Sequence, residues 1–536
     1  VPSTNALAPE GDLEGDAGSG SPPRRRACRG VKVSDSPLRR LFVQASHYSL
    51  ANLLAGIAGL ITFPLLTRIF SVADYGAMNL ISATLTVAVA VGKLGVQHSI
   101  ISYQSEMRAG KGPSTLQQFY STTILGMLAS GLCAMLVLAT VTHVVPTRWL
   151  GDPRLRGLFA IASLIVLIQV LESGLINFVR ADQLTSLLMK YQVAKKYLGI
   201  SIILFAVFVI SKTLTAFYTA TLVTEMAGLA VFWSVLHRRS DWPRFATKEF
   251  RRPLYLQMLG FGVPMMIGYE LSGIILGVGD RYLIHGLIGE TALGLYAAAY
   301  NLCQYVQSVV LASVGQAVMP LYMQMWEQKG PEETSAFIAR SLRTYVLVAA
   351  PVITGLASVG PQLLPMLASQ RYAAAAGILP WVIAGMVVDG ANSMVGAGLF
   401  IHRKTRRIMA ITLTCAALNI GLNLVLLPRV GIIGSAFATL VSYLIASVAM
   451  AIAGRRLLPV KLPWATMARS GLAAMIMYAS LIHIHPARQV LAVAVRILSG
   501  VLIYGVLIVS IDADARALLR RLSGHLRRGA RNPQPL

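Results

Sequence analysis

The 536-residue chain is 55% hydrophobic and only 13% charged, with a mean hydropathy of +0.64, where a soluble protein carries about 25% charged residues. Its apolar residues come in long unbroken blocks, which excludes a water-soluble enzyme or binding domain and leaves an all-α polytopic membrane protein. The formal charge of +25 does not mark a nucleic-acid surface. Lys and Arg lie between the apolar blocks and at the two ends, as residues retained on the cytoplasmic side of a membrane do.

Residues 1–40 are rich in Gly, Pro, Ser and Asp and then turn basic, with RRR at 24–26 and Arg39 and Arg40. No apolar run follows within reach of a signal-peptide cleavage site, and Cys28 lacks the run that precedes a lipoprotein cysteine. A disordered basic cytoplasmic tail is expected. The chain opens on Val1, which suggests a non-standard start codon and leaves the true start of this tail open. The other cysteines, Cys133, Cys303 and Cys415, fall in apolar spans. With no C-x-x-C, neither disulfides nor a metal site is indicated, and no cofactor is expected.

Fourteen spans follow, because a helix rising about 1.5 Å per residue needs about 20 residues to cross about 30 Å of hydrocarbon. The first six, 46–69, 78–103, 119–143, 157–179, 197–211 and 213–236, are expected to form an N-terminal lobe within 41–240, closed by a basic cytoplasmic linker at 241–256. Six more, 257–281, 293–320, 344–368, 374–401, 408–428 and 431–453, form a second lobe within 257–457. Spans 466–485 and 489–510, within 458–510, precede a basic tail at 511–536. With the N-terminus inside, most Lys and Arg fall in cytoplasmic segments, so both termini are expected there. A weak repeat supports the division: 65–80 and 280–302 both run span, Arg, short outer turn, Gly, span, as in transporters built from two similar bundles.

An ionisable group inside a span is costly unless it faces protein or water, so such groups are the candidate site. Lys93 in span two, with Gln97 and Gln104 on the same stripe, reads either as a cavity cation or as a residue snorkelling to the inner surface. Glu172 and Arg180 lie at the inner end of span four, where they read as snorkelling residues and topology signals. Glu225, Glu270 and Asp389 sit near the midplane and read either as proton or cation coupling sites or as buried structural partners. Gly273, Gly277 and Arg281 share the face of Glu270 at helical spacing, and Asn392 lies one turn from Asp389. Asp280 and Arg281, at the outer end of span seven, suit an ion pair that locks an outer gate or an interfacial anchor.

Tyr296, Tyr300, Gln304 and Gln307 line one face of span eight, suited to hydroxyl-rich ligands or to helix–helix hydrogen bonds. Pro64, Pro264, Pro351 and Pro380 interrupt spans. Arg496, in span fourteen, has no evident role. In the tail, Asp512 begins a D-x-D but more simply caps a basic helix with Leu518, Leu522 and Leu526 on one face. Walker, H-E-x-x-H and nucleophile-elbow motifs are lacking. No enzyme is expected, and transport energy must come from an ion or cargo gradient.

Five stretches carry a family resemblance: PLLTRIFSVADYG at the first outer turn, RADQ…KYQ at 180–192, GFGVPMMIG at 260–268, GDRYLIHGLIGETALGLYAAAYNL, and LNLVLLPRVGIIGSAFATLVSYLI at 422–445. In this order they resemble the polysaccharide transporters that flip lipid-linked oligosaccharides, over about 41–510. These belong to the superfamily that also holds multidrug and toxin extrusion antiporters and peptidoglycan-precursor flippases.

The resemblance implies two six-helix lobes around a central cavity open alternately to each face, in a bacterial inner membrane. The implied cargo is an undecaprenyl-diphosphate-linked repeat unit, moved to the periplasmic leaflet for exopolysaccharide, O-antigen or capsule assembly. A polysaccharide polymerase and a chain-length regulator are the partners such a role implies. Lys93 would then meet the cargo's diphosphate or neutralise an acid, and Glu172 and Arg180 would receive the headgroup or mark topology. A multidrug cation antiporter of the same fold is the alternative. A membrane glycan polymerase or ligase is disfavoured because every outer loop is short.

Overall fold

The computed structural model describes residues 37–108, 112, 114–146, 152–240, 242–484, 489–512 and 515–516. Most of the expected N-terminal tail with Cys28, and the Leu518, Leu522 and Leu526 stripe, lie outside these. The described chain is a sequence of helices, as the apolar blocks require: in lipid every backbone N–H and C=O must be satisfied within the segment.

The first half comprises α1 (Pro37–Ile69), α2 (Val72–Gly92), α3 (Val96–Arg108), α4 (Leu116–Val144), α5 (Arg154–Ala181), α6 (Thr185–Phe205) and α7 (Leu214–His237). Helix α1 takes in the last four residues of the expected tail. Two residues separate α1 from α2, and Ser71 makes the sharp restart possible. Its Oγ accepts from Asp74 N at 3.0 Å and donates to the Asp74 carboxylate at 2.7 Å, closing a capping box. Helix α6 starts twelve residues before the expected 197 and continues through a π-helical turn, Ala206–Ile210. Lys190, Lys195 and Lys196 lower the local hydropathy and disguise the first half of this helix.

The second half begins with α8 (Arg252–Met265), a π-helical turn (Met266–Leu271) and α9 (Ser272–Leu287), the two helices bent by 48°. Pro264 lacks the N–H that would bond one turn back, so the bend follows directly after it. Next come α10 (Glu290–Val310) and α11 (Ala312–Leu367), the latter two helices joined at Gly330, whose φ of 80° favours glycine. A 3₁₀ stretch (Gln370–Ile378) leads into α12 (Leu379–Val395), α13 (Ala397–Ile401), α14 (Thr405–Val430) and α15 (Ile432–Arg455). Helices α16 (Trp464–Ile482) and α17 (Gln489–Ile511) complete the fold and pack against α11.

Among the described residues, eleven helices are long and apolar enough to cross a membrane, twelve when α8 and α9 count as one. Fourteen was the expectation. The two remaining expected spans fall on α1, whose apolar stretch among the described residues is Leu53–Ile69, and on α10, whose Tyr, Asn and Gln face dilutes its hydropathy. In the first half α5 packs against both α4 and α7, and in the second α15 packs against both α12 and α14. Helix α2 lies along α10, and α8 leaves α3 and α4 so that α9 can pack on α14. That crossing helix pair positions the site.

Candidate functional site

The α2–α3 segment breaks where Leu94 and Gly95 take φ of 46° and 71°. The break turns Lys93, Gln97 and His98 toward the bend between α8 and α9. Gly95 meets Gly262 of α8 backbone to backbone, and a Cβ there would fall on the Gly262 carbonyl oxygen. Only glycine satisfies both the positive φ and the approach.

Glu270 lies on the π-helical turn and is held by this break. Lys93 Nζ donates to its Oε1 at 2.6 Å, Gln97 Nε2 donates to its Oε2, and His98 Nε2 stands 3.7 Å from the same oxygen. The Lys93 and Glu270 side chains are 16% and 18% exposed, which makes this a desolvated pair rather than a surface one. The carboxylate thus ties the bend of a crossing helix to the first half of the molecule. Lys93 therefore ion-pairs here instead of reaching for the inner surface.

A second cluster lies within the first half. Lys195 Nζ of α6 is 2.5 Å from both Glu172 of α5 and Glu225 of α7. Tyr191 donates to Glu172 at 2.6 Å, and Gln169 donates to Glu225 at 3.2 Å. Two carboxylates share one ammonium. Glu172 is buried in this trio and does not snorkel, whereas Arg180 is exposed and donates to Asn177 at 3.3 Å. Gln104 faces elsewhere and donates to Asp182 at 2.5 Å.

A third cluster lies inside the second half. Helix α9 runs on to Leu287, six residues past Arg281, and Asp280 and Arg281 are 1% and 7% exposed. Their nearest N–O distance is 3.5 Å. Tyr296 donates to Asp280 at 2.5 Å, Arg281 donates to Gly277 O at 2.9 Å, and the guanidinium sits 4.6 Å from the centre of the Tyr300 ring. Tyr296 and Tyr300 are therefore occupied by this ion pair and buried in the interior. Gln304, Gln307, Tyr345 and Ser393 line a cavity of about 750 Å³ between α10, α11 and α12. Asp389, exposed beside cavity-lining Gly390, accepts from Asn392 at 3.0 Å, and Asn392 accepts from Ser447.

At the end of the molecule carrying the α1–α2 turn, called the outer end here, the halves also meet. Arg68 donates to Met366 O at 2.8 Å, Arg371 donates to Arg68 O at 3.0 Å, and Asn301 donates to the Tyr75 hydroxyl at 2.8 Å. Toward the opposite end, Ser99 donates to Met258 O at 2.8 Å and Tyr255 to Gly126 O at 3.1 Å.

Residues 43–326, more than half of the chain, match the family described as polysaccharide biosynthesis protein. The chain belongs to that family. It is 24% identical over 346 residues to the succinoglycan biosynthesis transport protein ExoT of Rhizobium meliloti, covering 64% of each chain. It is 23% identical over 222 residues to the uncharacterized membrane protein MJ1068 of Methanocaldococcus jannaschii, covering 40% of this chain and 43% of that one. It thus spans less than two thirds of the length of either relative.

Among solved structures, the lipid II flippase MurJ in an inward closed conformation superposes with a TM-score of 0.71 at 14% identity, over 88% of this chain and 99% of that one. An inward-facing multidrug resistance MATE family transporter of the MOP superfamily does so with a TM-score of 0.55 at 15% identity, over 80% and 96%. The fold of this polysaccharide biosynthesis protein is therefore the all-α polytopic fold of these transporters, and the chain is a multi-pass membrane protein.

Sequence reasoning missed two basic partners of these carboxylates in this member of the family, Lys195 and His98, along with Tyr191 and Gln169. Lys195 sits ten residues into α6 and escapes a span drawn from hydropathy alone. His98 stands beside Gln97 and turns toward Glu270 only because the helix breaks at Leu94 and Gly95. The signals available were the Gly95 itself and the helical spacing of Tyr191 and Lys195, one turn apart.

Proposed function

We propose that this chain is a flippase that moves an undecaprenyl-diphosphate-linked oligosaccharide from the cytoplasmic to the periplasmic leaflet of the inner membrane, by alternating access, for polymer assembly. The observation that carries the reading is the Lys93–Glu270 pair, a desolvated ion pair between the α2–α3 break and the bend of a helix that belongs to both halves. A carboxylate placed there couples two states: neutralised, it releases Lys93 and lets the bend move, and charged, it holds the halves together. The exposed Asp389, beside the cavity between α10 and α12, is a second candidate coupling group, and Glu225 a third. Gln304, on the cavity lining, is the candidate to meet a sugar headgroup, with Asn392, which is hydrogen-bonded to Asp389 and Ser447, a candidate only if that pairing opens. The two lobes, the cytoplasmic termini, and a polymerase with a chain-length regulator as partners belong to the same reading, which requires no catalytic step.

The test is reconstitution of the purified protein in liposomes carrying a short polyprenyl-diphosphate oligosaccharide in one leaflet. Transfer to the other leaflet, lost in Glu270→Gln, supports the flippase. Uptake of fluorescent cations without glycolipid transfer would instead place the chain with the multidrug antiporters.

A further inference from the structure

Arg496 belongs to none of the clusters above. It lies seven residues into α17, about 10 Å from the outer end of that helix, and is 6% exposed. Its Nε donates to Ile484 O at 2.9 Å, and one terminal nitrogen lies 3.5 Å from Ser358 O. No carboxylate approaches it among the described residues. Two carbonyls satisfy two of the five N–H groups of a guanidinium and none of its charge.

A buried charge without a counter-ion is costly, so this position favours a bound anion. Beside it the Ser358 hydroxyl is also buried without a hydrogen-bond partner. Arg496 edges a groove of about 320 Å³ between α10, α11, α16 and α17, and Ser358 lies behind its rim, next in sequence to the lining residue Val359. Its remaining walls are apolar and run inward from Leu363 and Leu481, through Val359 and Ile497, to Val306 and Val501. Ile497 and Val501 are 47% and 70% exposed, so the groove opens sideways to the bilayer.

We propose that this groove binds an anionic glycerophospholipid of the leaflet at the outer end. The phosphodiester sits on Arg496 and the Ser358 hydroxyl, and one acyl chain runs inward along Val359, Ile497 and Val501. Depth and charge select this occupant. From seven residues inside α17 the guanidinium reaches back to Ile484 O, two residues past the end of α16, a depth suited to a lipid phosphate, and the apolar walls continue from there toward mid-membrane. One guanidinium neutralises one phosphodiester, whereas a diphosphate would leave excess negative charge among Val, Leu and Ile side chains. The lipid would wedge α16 and α17 against α11 and so hold these peripheral helices to the body of the transporter.

The test is native mass spectrometry of the full-length protein, taken from nanodiscs containing phosphatidylglycerol and phosphatidylcholine into mild detergent. One phosphatidylglycerol per chain should persist, with retention about tenfold weaker in Arg496→Gln, the loss expected for a hydrogen-bonded charge. Gly500→Leu, which adds bulk where a Cβ already lies 3.2 Å from Leu481, should lower retention while leaving Arg496 in place. Arg407→Gln, at the opposite end, should not change it. Equal retention in the wild type and Arg496→Gln would overturn the site. So would equal retention of phosphatidylcholine, or displacement of phosphatidylglycerol by an equimolar polyprenyl diphosphate. If Arg496→Gln does not fold, Gly500→Leu and Ser358→Ala decide in the same way.

Discussion

Gly76 and Gly294 press together where α2 crosses α10. A Cβ on Gly76 would fall on the Glu290 carbonyl oxygen, and one on Gly294 on the Val72 carbonyl oxygen. Gly95 and Gly262 make the corresponding contact between α2–α3 and α8. The halves are thus in backbone contact at two levels, with the Lys93–Glu270 pair near the inner of the two. On the proposed alternating-access reading, one glycine contact at a time would open.

The outer contact can be wedged. Gly294→Val should cost about 1–3 kcal/mol from overpacking and push α2 away from α10. Spin labels at Ser71 and Gln370, both exposed, should then move apart in pulsed electron resonance. Gly262→Val should leave that distance alone. An unchanged distance in Gly294→Val would show that this contact is not part of an outer gate.

The ion pair can be separated from its structural role. Removing one partner of a buried pair leaves an unpaired charge and costs about 3–5 kcal/mol, while replacing both with apolar residues of similar volume is often neutral. Lys93→Met and Glu270→Met should each lower the melting temperature of the purified protein, and the double variant should melt near the wild type. If Glu270 couples transport, the stable double variant should still fail to restore polymer export in a deletion strain. Export at the wild-type level by the double variant would leave the pair a purely structural one.

Much of this was legible in the sequence, and the limit has a physical cause. Long apolar blocks dictate helices in lipid, and in-span charges point to protein-facing positions, so Lys93, Glu270 and Glu225 could be singled out individually. Their partners could not. Lys93 and Glu270 are 177 residues apart, and helical periodicity reports which face a residue lies on but not which helix that face meets. Asp280 and Arg281 were placed at a membrane surface because the hydropathy of α9 fades before the helix ends. Lys195 was hidden by the reverse error, a polar helix start mistaken for a loop.

The Glu172–Lys195–Glu225 trio yields a prediction about charge balance. Lys195→Ala leaves two buried carboxylates facing the space of one ammonium, and like charges that close destabilise each other. It should lower the melting temperature more than Lys195→Ala combined with Glu225→Gln, which removes one of the two negative charges. A thermal-shift series on the purified single and double variants checks this. Equal melting of the two would mean that Glu225 is already protonated or neutralised by another cation.

Tyr296 separates a cargo role from a packing role. Its hydroxyl donates to Asp280 at 2.5 Å inside the second half, and it has no exposed surface. Tyr296→Phe keeps the ring and removes that bond to a charged acceptor, a loss of about 1.5–3 kcal/mol. The variant should therefore melt lower while binding a soluble analogue of the glycan headgroup as tightly as the wild type. Gln304→Ala, on the lining of the 750 Å³ cavity, should do the opposite, weakening the analogue with little change in melting. If Tyr296→Phe instead loses the analogue and keeps its stability, the buried ring must turn out toward the cavity in a second state, and the Asp280–Arg281 pair would have to open with it.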